Sequence, residues 1–191
     1  MSYPHRIAQW ILEVVFPYRC VSCGRYCDRE YLCTPCFHGL PIKKQSECIG
    51  CKRPTPDGQT CVFCKEENPL DQLLIVSDFN DPVVALVIKR MKYSFISDLI
   101  RPLHQLTNRY LTLRARKGNS FLLNDPLLVP VPLHIRRENW RGFNQAAMLA
   151  DLLANAYQTR VTSALRRTGH RSPQADIQER EKRLENVRGL Y

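Results

Sequence analysis

Apolar residues recur along this chain in blocks separated by a long stretch without periodicity. Ile7, Trp10, Ile11, Val14 and Val15 share one helical face, and Pro17 closes the run. The spacing predicts an amphipathic helix over residues 1–17, docking on the protein's own body or meeting a membrane surface or partner. Regular patterning resumes after residue 69. Leu73 to Val76 reads as a buried strand, and Asp81 and Pro82 offer an N-cap and first-turn proline to a helix with Val84, Val87, Ile88 and Met91 on one face. Lys89, Arg90 and Lys92 suit its C-terminal dipole. Leu99, Leu103, Leu106, Tyr110 and Leu113 predict a second helix, and Gly118 to Asn124 a loop. Leu127 to Val131, between Pro126 and Pro132, reads as an interior strand of a parallel sheet. A basic turn is expected next. Phe143, Ala146, Ala147, Ala150, Leu153, Ala154 and Tyr157 then mark a helix, Arg160 to Leu165 another strand, and residues 176–186 a short charged helix after a mobile loop. Strand followed by helix predicts an α/β fold.

The stretch without periodicity holds every cysteine, at 20, 23, 27, 33, 36, 48, 51, 61 and 64. Adding 28 to Cys20, Cys23, Cys33 and Cys36 gives Cys48, Cys51, Cys61 and Cys64, so C-x2-C-x9-C-x2-C is duplicated, and Arg25 recurs as Arg53. Two sulfurs three residues apart on a tight turn can face one ion, and two such turns complete a tetrahedron. Zinc is therefore favoured over a disulfide framework and over thioredoxin-like redox motifs, which need a βαβ context. Four thiolates leave no open coordination position, so both ions would be structural. The repeat favours two sequential ribbons, with a cross-braced arrangement as the alternative. Cys27 has no counterpart, because Thr55 takes its place, and it reads as a spare thiol. So short a segment cannot build a sizeable core, and metal binding must supply much of its folding free energy.

Composition adds bounds. The chain has 191 residues, 44% hydrophobic, which favours folded structure. No run reaches the roughly 18–20 apolar residues of a membrane-spanning helix, because Gln9 and Glu13 interrupt the opening segment. No transmembrane segment and no cleaved signal peptide are expected, which implies a cytoplasmic protein. The domains expected are the helix at 1–17, the double zinc ribbon at 18–68 and an α/β domain at 69–191. Net charge is +10, weighted toward the C-terminus: residues 134–191 carry eleven Lys and Arg against six Asp and Glu. Non-specific attraction to nucleic acid follows, with steep salt dependence.

Two basic segments are candidates for chemistry. Pro130 to Gln145, at a strand-to-helix junction, offers three arginines, a histidine and three amides where parallel sheets bind anions. The bland alternative is an exposed basic loop with Asn144 as a helix cap. Arg166, Arg167, His170, Arg171, Arg180, Lys182, Arg183 and Arg188 form the second, read either as a solvated helix with ion pairs or as a phosphate or nucleic-acid contact.

Phe16-Pro17 ahead of Cys20-x-x-Cys23-Gly24, the double ribbon, Lys89-Arg90-Met91-Lys92-Tyr93, Val129-Pro-Val-Pro-Leu-His134 and Arg141-Gly-Phe-Asn-Gln145 together resemble the ComF family, which includes the GntX proteins. Ser172-Pro-Gln174, Arg180, Arg183 and Asn186-Val-Arg-Gly189 resemble that family's flexible loop. The resemblance implies a zinc finger joined to a type I phosphoribosyltransferase-like domain and an association with DNA uptake in natural competence, with single-stranded DNA and competence-machinery proteins as partners. It also implies that His134, Arg137, Arg141, Gly142, Asn144 and Gln145 handle pyrophosphate or phosphate, and that Gln174, Arg180, Arg183 and Asn186 belong to a loop closing over the site.

Phosphoribosyltransferases of that type hold phosphoribosyl pyrophosphate (PRPP) on an apolar strand, two adjacent acids and a Thr/Gly turn. No such run is found here before Tyr191, and Asp125, followed by Pro126, cannot substitute. The expectation is an incomplete phosphoribosyltransferase-like parallel sheet behind a double zinc ribbon, inactive in phosphoribosyl transfer and binding PRPP only if a C-terminal continuation exists. A gene fragment, a second chain supplying the rest and a retired enzyme would each account for this. The competing function is a non-enzymatic zinc-ribbon module that binds single-stranded nucleic acid or a protein partner.

Overall fold

The computed structural model describes residues 17–116, 118, 126–169, 171, 174 and 177–191. Residues 1–16 of the predicted helix at 1–17 lie outside them, as does nearly all of the predicted loop from Gly118 to Asn124. The described residues fall into two compact units, one ending at residue 118 and the other beginning at residue 126.

In the first unit the cysteine-rich segment forms two single helical turns, α1 (Thr34–His38) and α2 (Val62–Lys65), begun at Cys33 and Cys61. Two longer helices follow, α3 (Pro82–Tyr93) and α4 (Ile100–Ala115), joined by a 3-10 turn at Ser97–Leu99. The Asp81 carboxylate accepts from the backbone N–H groups of Val83 and Val84 at 3.0 and 2.9 Å, and Pro82 takes the first turn. Val84, Val87 and Met91 are buried, and with Leu99, Ile100, Leu106 and Tyr110 they form the core. Full burial of a side chain of this size contributes about 1.5–3 kcal/mol. The last turn of α4 differs from expectation. Leu113 is 42% exposed, while Leu111, three turns after Ile100, is buried.

Leu73 to Val76 is not a strand. The segment is half-buried, and its hydrogen bonds go to two different neighbours, Leu73 N–H to the Gly58 carbonyl and Lys43 N–H to the Val76 carbonyl. Neither neighbour continues far enough to build a ladder. At the end of α4, the Arg114 guanidinium donates to Asp57 at 2.6 Å and to Ser46 at 2.8 Å. Compactness thus groups these helices with the ribbons, whereas composition divides the chain near residue 69.

The second unit contains a two-stranded parallel sheet, β1 (Leu127–Leu128) with β2 (Arg160–Val161), in the register Leu127 to Arg160 and Leu128 to Val161. Both strands are shorter than expected. Pro130 and Pro132 bring no N–H to the ladder, which stops before them. Helix α5 (Ile135–Arg141) stands where a basic turn was expected. Its exposed Ile135 and Trp140 leave no apolar stripe to announce it. Helix α6 (Gln145–Tyr157) starts from Asn144, and α7 (Arg180–Val187) begins four residues later than expected. Leu190 is buried, and Thr168 N–H donates to its carbonyl at 3.0 Å.

Candidate metal centres and basic segment

The duplication read in the cysteines extends to the backbone. Cys20 N–H donates to the Arg25 carbonyl and Cys48 N–H to that of Arg53, so the repeated arginines close the two turns through their main chain. Gly24 N–H reaches the Cys20 carbonyl, and Lys52 N–H the Cys48 carbonyl. Gly24 and Lys52 both hold positive φ, 74° and 63°. Antiparallel bridges join Arg19 to Tyr26 and Glu47 to Pro54. Each pair is separated by 28 residues, so one local fold is built twice.

These turns gather Cys20, Cys23, Cys33 and Cys36 in one group and Cys48, Cys51, Cys61 and Cys64 in another, with all sulfurs of a group within 4.8 Å of one another. The grouping is sequential and not cross-braced. Among the described residues these are the two groupings of His, Cys, Asp or Glu with such geometry. The Cys23 and Cys33 sulfurs lie 3.6 Å apart and those of Cys51 and Cys61 3.7 Å apart. Four sulfurs about 2.3 Å from one ion in a tetrahedron stand about 3.8 Å from each other, so the donor set fits zinc. Cys27 is in neither group. Its Sγ donates to the Arg25 carbonyl, and burial together with Cys20, Cys33 and Cys23 pushes its thiol up.

The thiols differ within each group. Burial works to raise Cys20, but the backbone N–H groups of Cys23, Cys33 and Ser22 outweigh it and bring the thiol down to about 6. N–H groups of Cys61 and Cys51 bring Cys48 to about 6 against its burial. At the fourth position the order reverses. The Ser22 hydroxyl pulls Cys36 down, yet burial and the Cys33, Cys23 and Cys20 sulfurs together push it up to about 12. Cys61, burial, Cys51 and Cys48 push Cys64 up to about 12.

Sequence reasoning missed the residue inside each first turn. Ser22 touches Cys36, and at the equivalent position a Cβ on Gly50 would stand 2.7 Å from the Cys64 sulfur. Carrying the 28-residue offset to every position between the cysteines would have flagged both.

In the second unit the expected phosphate-handling residues are side by side but engaged. His134 caps α5, its Nδ1 accepting from Arg136 N–H at 3.2 Å. Gly142 ends α5 at φ 82°. Arg141 is 8% exposed and donates to Gln145 Oε1 at 2.9 Å. Asn144, equally buried, accepts from Ala146 N–H and donates to the Val131 carbonyl, so it is the cap of α6. Arg137 donates to the Arg171 carbonyl. Of the expected loop residues, Gln174 donates to the Arg183 carbonyl and Arg183 to that of Ile177, while Arg180 and Asn186 lie on the α7 backbone. Cations on the surface of this unit include Arg136, Arg166, Lys182 and Arg188.

A family model described as a double zinc ribbon domain matches residues 11–65. Competence protein F of Haemophilus influenzae is 24% identical over 178 residues, covering 85% of this chain and 76% of that protein. DNA utilization protein YhgH of Salmonella typhimurium is 32% identical over 138 residues, covering 71% of this chain and 53% of that protein, and its counterpart in Salmonella typhi matches equally. The chain thus spans about half the length of these YhgH relatives. No solved structure matches.

Proposed function

We propose that this chain, a ComF-like homologue of Competence protein F and DNA utilization protein YhgH with a double zinc ribbon domain, serves DNA uptake or utilisation by holding single-stranded DNA, without phosphoribosyl transfer of its own. The observation that carries this reading is the pairing of two closed four-sulfur clusters with relatives named for competence and DNA use. Clusters with no open coordination position stabilise a fold and supply no reactive water. Each quartet holds one structural zinc ion in this reading.

The DNA contacts are assigned to the second unit. Thiolates charge a four-sulfur zinc site to −2, so two loaded sites offset the excess of cations among the ribbons. Arginines of residues 134–191 carry no such offset. Arg136 and Arg137 on α5, with Arg166 and Lys182, are the phosphate contacts proposed, and Arg141 and Asn144 position α5 against α6. Paired acids followed by a Thr/Gly turn do not occur in residues 126–191, and no phosphoribosyl transfer is assigned to these residues. No helix among the described residues is long and apolar enough to cross a membrane. We place the protein in the cytoplasm, handing DNA to competence-machinery proteins.

Fluorescence anisotropy with labelled oligothymidylate tests this. Arg136→Ala with Arg137→Ala should weaken binding and lower the slope of log affinity against log salt by about 0.7 for each phosphate no longer neutralised. An unchanged slope would remove α5 from the DNA interface. Release of pyrophosphate from PRPP by the purified chain would overturn the exclusion of phosphoribosyl transfer.

A further inference from the structure

The first unit contains a cavity of about 370 Å³ between the first ribbon and the start of α4. One wall is the ribbon segment from Arg29 to Leu32 with α1, and the other is Asp98 with the first turns of α4 through Gln105. Pockets for small organic ligands span roughly 300–1,000 Å³, so this one is sized for a single compact molecule.

Three kinds of residue line it: the basic Arg29 and Arg101, one on each wall; the acid Asp98 and the amide Gln105; and the aromatic Tyr31 and Phe37. The walls are held in shape. Tyr31 packs on Tyr18 with ring centroids 5.0 Å apart, its carbonyl accepts from Val21 N–H, and Leu32 behind it is 4% exposed. Helix α1 starts from Cys33 and contains Cys36, so two sulfurs of the first quartet anchor that wall. Arg29 holds φ 55°, a left-handed conformation that costs a non-glycine residue about 1–3 kcal/mol and concentrates at ligand sites.

Charge decides what class of ligand fits. Arg29 and Arg101 are matched by Glu30 and Asp98, so the arginine and carboxylate charges of the lining cancel. A bare anion would meet two carboxylates for every two cations. A ligand with an anionic group, hydroxyls or amines to donate, and a planar ring uses all three kinds of group. Guanidinium takes phosphate, carboxylate and amide take sugar hydroxyls or a base edge, and tyrosine and phenylalanine stack on the ring.

We propose that this cavity binds a nucleoside 5′-monophosphate, whether free or as the 5′-phosphorylated end of a strand. The site is separate from the DNA contacts assigned to α5 and stands or falls independently of them.

Calorimetric titration of the zinc-loaded full chain with thymidine 5′-monophosphate tests the proposal. Saturable binding is expected with a Kd of about 10 μM to 1 mM, and inorganic phosphate should bind at least about tenfold more weakly, because it cannot use the aromatic wall. Arg101→Ala and Phe37→Leu should each weaken the nucleotide about fivefold or more, with zinc content and thermal midpoint unchanged. Gln105→Leu provides a third variant away from the ribbon. Absence of saturable binding, equal affinity for inorganic phosphate, or wild-type affinity in all three variants would overturn the proposal. Displacement of the mononucleotide by 5′-phosphorylated hexathymidylate, but not by its 5′-hydroxyl form, assigns the ligand to a strand end; no displacement assigns it to a free nucleotide.

Discussion

Gly58 holds φ 80°, and a Cβ added there would stand 2.2 Å from the Leu73 carbonyl oxygen. Both backbone strain and collision oppose a side chain, and the oxygen belongs to main chain that cannot swing aside. Gly58→Ala should therefore cost about 2–4 kcal/mol in urea unfolding of the zinc-loaded chain. Arg114 is the complementary case. Its side chain is 12% exposed, that of Asp57 27%, and they meet at 2.6 Å. Arg114→Ala should destabilise by about 1–3 kcal/mol through the partly buried Asp57 left behind, and Asp57→Asn in that background should recover part of the deficit. Neither residue could be singled out from sequence, because the close approach at Gly58 and the partnership with Arg114 join positions far apart in the chain. Asp81 and Pro82 are legible for the opposite reason: a cap acts on N–H groups two and three residues away.

The same contrast holds for elements. Helix α3 shows in the sequence because its buried face repeats at 3.6 residues, while α5 hides because Ile135 and Trp140 face solvent and its ends are set by His134 and Gly142. Removal of the α3 cap in Asp81→Ala should cost about 1 kcal/mol. The cysteine quartets are the most legible elements, since ligand type and spacing are themselves the structure. Their chemistry predicts a pH dependence. Zinc-bound sulfurs are thiolates, whereas Cys36 and Cys64 in the metal-free chain keep their protons up to about 12. Binding at neutral pH must expel those protons, so affinity falls as pH falls. Cys20 and Cys48, near 6, are already mostly thiolate at neutral pH and start to compete for protons below that value. Competition with a chromophoric chelator should show log affinity rising with pH and steepening below about pH 6. A flat profile would mean that the ligands are not these thiols.

At the scale of the molecule, the ribbons carry little core of their own, while α3 and α4 bury Val87, Met91 and Leu99 almost completely. A strong chelator should open residues 18–66 to protease first, and the fragments should map there before any cut appears in residues 126–169. Resistance of 18–66 after complete metal removal would refute the structural role of zinc. The parallel sheet was legible as two strands and a direction but not in extent, because proline content limits the ladder to two residues on each side. How the charge of residues 134–191 would be used was not legible at all: Arg141 and Arg183 are spent on an amide and a carbonyl within their own unit, which sequence cannot reveal.

The sequential grouping of the sulfurs bears on biosynthesis. Each quartet closes within seventeen residues, from Cys20 to Cys36 and from Cys48 to Cys64. A ribosome that has released Cys36 has delivered everything the first ion requires, well before Cys64 exists. The nascent chain can therefore capture one metal ion while the second binding loop is still being made, and scarcity of zinc during translation would yield half-filled molecules instead of scrambled ones.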